Sequence, residues 1–224
     1  MIYLYALCPS LSASSDLPEG IGASPVEILT VASLGAVIEQ DVDIAQIQAD
    51  DTQLMTAVLA HDRVLGHFFA QTPLLPLRFG TQFKDRDAVK TFLTNQGEVY
   101  RPKLDYLWDK AEYLVKLLPQ SIDMPAIASD LKGRDYFLAK KQRLQQHTLA
   151  LSQQTEHLQT FLSGLQATKI PLVQSAPQNN EERLHVLLSR DAATVQQLMT
   201  DWQQQLPTWQ LTCSEPLPPY HFAA

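Results

Sequence analysis

The chain has 224 residues, 45% hydrophobic and 18% charged, with a formal net charge of -7 at pH 7. That is ordinary globular composition, so no segment reads as a disordered tail and the length predicts two modest domains. An acidic chain without a Lys/Arg cluster argues against nucleic acid as partner. The longest apolar run falls far short of the roughly 20 residues of a membrane-spanning helix, and MIYLYALCP lacks the basic start and cleavage site of a signal peptide. A cytoplasmic chain with no lipid membrane partner is the expectation. Cys8 and Cys213 form neither a CxxC pair nor a disulfide framework and are expected as reduced, buried thiols.

Ile2 to Leu7 is a β-branched and aromatic run, followed by a Ser-, Gly- and Pro-rich loop from Ser10 to Gly22. Val26 to Ala32 and Leu34 to Gln40 carry apolar residues on both faces, which predicts a hairpin covered by helices. Thr52 can cap a helix in which Leu54, Val58, His61, Leu65 and Phe68 recur at helical spacing, closed by Thr72-Pro73. His61 then points inward and reads as a packed structural histidine. His67, six residues on, lies roughly 240° around the helix and cannot share a metal with it.

Leu74 to Phe79 reads as a strand with Leu75, Leu77 and Phe79 on one face and Pro76 and Arg78 on the other. Pro76 lacks a ladder donor, which predicts an edge strand, and Gly80 supplies a backbone free to turn. Asp85 caps the next helix, expected to run to Gly97. From Glu98 to Leu118 helical and alternating patterns compete. Beyond Gly133 a long helix repeats Phe137, Leu144, Leu151, Leu158 and Leu165 seven apart. At 1.5 Å per residue it extends about 48 Å, longer than a small sheet covers, so part of it should project. Its companion positions Lys140, His147 and Gln154 are polar, which favours one stripe packed on a sheet over a coiled coil.

Ile170 to Gln174 is a strand, SAPQNNEE a turn-rich loop and Arg183 to Ser189 a strand. Asp191 caps a helix through Trp202, and Trp209 to Ser214 is the last strand. With Trp108 to Leu118 taken as a strand, residues 108 to 215 read βαββαβ, the ferredoxin-like pattern. The proline-rich end, CSEPLPPYHFAA, reads as extended, with Tyr220 and Phe222 on one side.

The fold expected is therefore α+β in two domains. Residues 1–106 form a small mixed sheet with helices, and residues 107–224 a ferredoxin-like βαββαβ domain with a long projecting helix and a proline-rich tail. No glycine-rich phosphate loop, nucleophile elbow or H-E-x-x-H motif occurs, and the acid pairs sit at caps or in loops, so neither catalytic residues, a metal site nor a cofactor is expected.

Four ordered motifs carry a resemblance. They are Tyr3-Leu4-Tyr5 with the hairpin Ile28 to Ile38; His61-Asp62-x-Val64 with Leu75-Pro76-Leu77-Arg78-Phe79-Gly80-Thr81; Glu112-Tyr113-Leu114-Val115-Lys116; and Pro216-Leu217-Pro218-Pro219-Tyr220-His221-Phe222. Together they resemble the gas vesicle F/L family of cyanobacteria, haloarchaea and other prokaryotes, and the likeness settles the ambiguous segment as a strand. Glu215, Leu217 and His221 stand where that family closes with glycine, tryptophan and serine. The resemblance implies a non-enzymatic minor vesicle component needed for vesicle formation. It would bind the small hydrophobic shell protein and other vesicle proteins as an assembly, nucleation or structural factor, and lie on the vesicle within the cytoplasm, its gas-facing side included. The candidate interface is Pro76, Arg78, Phe79, Gly80 and Thr81 with Pro218, Pro219, Tyr220 and Phe222. Structural polar roles fall to His61, Glu112 and Lys116, with Glu112 a possible partner for Arg78. The alternative class is a ferredoxin-like small-molecule sensor.

Overall fold

The computed structural model describes residues 1–10, 17–22 and 24–223. Of the loop expected over 10–22, residues 11–16 lie outside the described residues. In chain order the elements are β1 (Ile2–Pro9), β2 (Glu27–Val31), β3 (Leu34–Gln40), α1 (Ile44–Gln48), α2 (Asp51–Phe69), β4 (Leu75–Pro76), β5 (Gln82–Phe83), α3 (Arg86–Tyr106), β6 (Lys110–Pro119), α4 (Gly133–Gln166), β7 (Leu172–Gln178), β8 (Glu181–Ser189), α5 (Ala192–Gln205) and β9 (Trp209–Cys213). Two units emerge. The first comprises Met1–Tyr113, Leu187–Arg190 and Glu215–Ala224, the second Leu114–Val186 and Asp191–Ser214. The tail thus groups with the first unit, whereas a single cut at 106/107 assigned it to the second.

In the first unit the strand order is β2-β3-β1-β4, with β5 also on β1. Every described pairing is antiparallel, where a mixed sheet was expected. β1 is buried along almost its whole length, because both faces of the sheet are covered. Ile2, Leu4 and Leu7 join Leu29, Leu34, Ile38, Leu75 and the α3 residues Val89, Leu93 and Leu104 in one core. A register shift between Leu4 and Ala6 marks a bulge at Tyr5. A bulge re-aims a side chain, and here Tyr3 and Tyr5 both meet His61 of α2, at ring separations of 5.8 and 5.3 Å.

Helix boundaries follow cap chemistry. α2 begins two residues earlier than Thr52 implies, because the Asp50 side chain accepts from Gln53 N. α3 starts at its Asp85 cap but continues through Gly97 and Pro102 to Tyr106, and packing of Leu104 into the core outweighs the intrinsic penalties of both residues.

The expected strand Leu74 to Phe79 is cut to two residues. β4 and β5 both lie along the same side of β1, opposite Ala6–Leu7 and Ile2–Tyr3, and residues 77–81 bulge out between them. The excursion is pinned where it leaves and returns: Leu77 N donates to Tyr5 O at 2.9 Å and Leu4 N to Thr81 O at 3.0 Å. Gly80 takes φ +89°, a left-handed value open to glycine at little cost.

In the second unit β6, α4, β7, β8, α5 and β9 give βαββαβ with strand order β7-β8-β6-β9, the ferredoxin-like arrangement. SAPQNNEE is not a loop but the end of a tight hairpin, with Asn179 and Asn180 at φ 52° and 64° as its two turn residues. The C-terminal part of α4 packs through Phe161, Leu165 and the buried Gln154. Gln154 Nε2 donates to the carbonyls of Gln120 and Thr208, and the Trp209 indole donates to Gln154 O. The single packed stripe holds only there, for Phe137, Leu144 and Leu151 are exposed.

Candidate functional site

Within the first unit residues of three of the four sequence motifs meet at His61 and Asp62, and Glu112 of the remaining motif holds the tail. β1 supplies Tyr3 and Tyr5, α2 supplies His61 and Asp62, the excursion supplies residues 77–81, and the tail returns with Pro216 to Phe222. Tyr3 Oη lies 2.8 Å from His61 Nδ1 and accepts from Gly80 N at 3.2 Å. Burial pushes the His61 imidazole down to about 4, opposed by Asp62 beside it and by a bond to the Leu77 backbone. At neutral pH the ring is uncharged, and Tyr3 O–H donating to Nδ1 with the other nitrogen toward the Leu77 carbonyl uses both its nitrogens. Burial likewise raises the Tyr3 phenol beyond its ordinary range. The pair is a packed polar clamp with no free base.

A second polar centre lies on the same face. Glu39 of β3 is fully buried, and its carboxylate accepts from Tyr5 O–H at 2.5 Å, Ile21 N at 2.9 Å and Gly22 N at 2.8 Å. The loop can approach only because positions 20 and 22 are glycine: a Cβ on Gly20 would fall 2.0 Å from Glu39 Oε2, and one on Gly22 2.7 Å from Oε1. Burial and then the bond to Glu39 hold the Tyr5 phenol protonated well above its usual range.

The tail is clasped by β6. Leu217 and Glu112 exchange backbone bonds of 2.8 and 3.0 Å. The Glu112 carboxylate, almost fully buried, accepts from His221 N at 2.8 Å and lies 2.7 Å from His221 Nδ1. Glu112 is thus engaged by the tail, and Arg78 is not its partner. The tail turns after Pro219, where Phe222 N donates to Pro219 O at 3.1 Å, so it is not extended to its end and Tyr220 and Phe222 do not share a side. Phe222 packs against the core, while the Tyr220 hydroxyl donates to Asp62.

These anchors leave a groove of about 470 Å³ lined by Val58, Leu59, His61, Asp62, Pro76, Leu77, Arg78, Phe79 and Tyr220. Arg78 is exposed and its guanidinium makes no ion pair or hydrogen bond among the described residues. Its carbonyl closes the turn, accepting from Thr81 N and Oγ1 at 3.1 and 2.6 Å. Met55, Val58 and Leu59 continue an exposed apolar strip along α2, since positions three and four apart share a helix face.

The candidate residues therefore separate. Arg78, Phe79 and Tyr220 face the groove, and Pro76 lines it although largely buried. Gly80 and Thr81 shape the turn. Pro218 and Pro219 are buried and Phe222 is a core contact, so these three cannot present a surface to a partner. Lys116, in the second unit, lies 3.9 Å from Glu181.

Sequence reasoning missed two residues. Glu39 had a signal, a charge inside a strand apolar on both faces, with Gly20-x-Gly22 upstream. Arg190 had none, since it reads as the residue before a helix cap. It stacks 3.9 Å over Phe69 and donates to the carbonyls of Phe69 and Lys110 at 2.9 and 3.1 Å. Burial lowers its pKa. Cys8 is fully buried, its thiol pushed up to about 12, whereas Cys213 is half-exposed rather than buried.

Comparison with known proteins agrees with this architecture. A family profile described as "Gas vesicle synthesis protein GvpL/GvpF" matches residues 1–224. Gas vesicle protein F of Streptomyces sp. (strain CB03234) is 33% identical over 119 residues, 51% of this chain and 47% of that protein. Gas vesicle protein L of the same organism is 32% identical over 151 residues, 60% and 56% of the two chains. The chain thus spans about half the length of these curated relatives. The crystal structures of GvpF from Anabaena sp. PCC7120 and of GvpF from Microcystis aeruginosa superpose with TM-scores of 0.68 and 0.67 at 18% and 19% identity. Each alignment covers all of this chain, with 95% and 98% of the respective structures, and shows a shared fold. On the full-length profile match, this chain belongs to the gas vesicle synthesis protein GvpL/GvpF family.

Proposed function

We propose that this chain is a non-enzymatic gas vesicle assembly factor that holds the small hydrophobic shell protein in the groove of its first unit before the shell polymerises. The observation that carries the reading is an exposed Arg78, unpartnered among the described residues, beside an apolar groove and an apolar α2 strip, where the His61-Asp62 segment and residues 76–79 meet Tyr220 of the tail. Such a surface suits an apolar segment carrying a carboxylate, because a forked guanidinium adds a directed bond to nonspecific burial. Strand addition is the poorer mode here: β4 is two residues long, and Pro73 and Pro76 blunt its edge. A net charge of -7 favours action in water rather than exposure to gas.

The test is binding of purified shell protein to wild type, Arg78→Ala and Leu59→Ser, each first checked for an unchanged circular dichroism spectrum and melting temperature. Both exposed-site variants are expected to lose at least ten-fold in affinity. Wild-type affinity in both would overturn the assignment of the groove.

A further inference from the structure

The N-terminal part of α4 carries a second surface, independent of the groove. Phe137, Leu144 and Leu151 are 70%, 66% and 45% exposed. Seven residues apart, they form one line about 21 Å long at 1.5 Å per residue. From Tyr136 to Thr155 the helix contains Lys140, Lys141 and Arg143 and no Asp or Glu. At 100° per residue Lys140 and Lys141 fall on opposite flanks of the line. None of the three cations forms an ion pair among the described residues. The neighbouring segment adds Ile122, Met124 and Ile127 to a cavity of about 590 Å³ beside Tyr136, Lys140 and Leu144, with Asp123 its one acid.

We propose that this stripe docks an amphipathic helix of a partner protein whose apolar ridge is flanked by carboxylates. Charge complementarity selects that occupant. The helix is locally basic in a chain of net -7, so a second copy would set lysine-flanked stripes against each other, whichever direction the helices ran. A lipid surface fits less well. The apolar line is one residue wide, and the exposed Leu138 and Leu149 lie on a separate, otherwise glutamine-rich face, whereas a helix lying in a membrane interface needs one broad apolar face and a strongly charged opposite one. Lysine stems lying along the partner's ridge would widen the contact while their heads meet its acids.

The probe is a designed 21-residue helical peptide, fluorescein-labelled, with leucines at heptad spacing flanked by glutamates; its twin carries lysines instead. Anisotropy with the full chain is expected to show at least ten-fold tighter binding of the glutamate peptide. That binding should weaken at least ten-fold in Leu144→Gln and in the double variant Lys140→Glu/Lys141→Glu. Leu149→Gln, at an exposed position on another face, should leave it unchanged. Equal binding of the two peptides, no binding of either, or indifference to the stripe variants would overturn the proposal. So would a dimer by analytical ultracentrifugation that Leu144→Gln abolishes, or capture by phosphatidylglycerol vesicles without peptide binding.

Discussion

Replacing Tyr5 by phenylalanine tests the buried Glu39 centre with one atom. The ring keeps its stacking on His61 at 5.3 Å and 24°, so no sizeable cavity opens. What is lost is the shortest of the three bonds received by a fully buried carboxylate. A hydrogen bond to a charged group contributes about 1.5–3 kcal/mol. Taking about 2 kcal/mol, and 2–4 °C per kcal/mol for a chain of this size, the melting temperature should fall by about 4–8 °C. Calorimetry checks the size of the effect, and amide exchange checks its place. Ile21 N donates both to Glu39 and to Tyr5 Oη, so its protection should drop more than that of Gly22. Tyr106→Phe, at an exposed site, is the control. A Tyr5→Phe melting temperature within 1 °C of wild type, with Ile21 exchange unchanged, would refute the reasoning. Gly20→Ala should cost more, since three donors hold Glu39 and the loop itself must yield.

Two further outcomes follow from the buried groups. His61 titrates near 6.5 when unfolded and near 4 when folded, so between those values the unfolded chain binds a proton that the folded one refuses. Its share of stability is full above about pH 6.5 and declines as pH falls, by about 2 kcal/mol between pH 7 and pH 5; in denaturant titrations at the two pH values wild type should lose about that much more unfolding free energy than His61→Gln. With a disulfide-exchange reagent at pH 8, the half-exposed Cys213 should react in the native protein, and the buried Cys8 only after denaturant is added.

The order of elements was readable because burial imposes periodicity. β1 and β3 are runs of buried residues, β8 buries Leu184, Val186 and Leu188 at alternate positions, and the Asp85 and Asp191 caps fall where predicted. Boundaries failed where tertiary contacts overrode local preference. α3 runs through Gly97 and Pro102 because Leu104 is wanted in the core, and Leu74 to Phe79 breaks because Tyr3 and Tyr5 claim the backbone of Leu77 and Gly80. The groove was legible only in part. Arg78 stood out as the lone charge in an apolar stretch. Glu39 carried a signal that went unused, a charge inside an apolar strand, and Glu112 read as a candidate for Arg78, because the tail that engages it returns from over a hundred residues away.

The return of the tail has a consequence for synthesis. Residues 215–223 contribute Tyr220 to the groove, Phe222 to the core and the clasp on Glu112, yet the second unit is translated in between. At roughly 5–20 residues per second the first unit stays incomplete for on the order of ten seconds after Tyr113 is made. During that interval the ferredoxin-like unit can fold, while the groove lacks one of its walls. The groove is therefore finished only after the second unit, so a nascent chain that has not yet been made past Tyr220 cannot offer the complete surface to a partner.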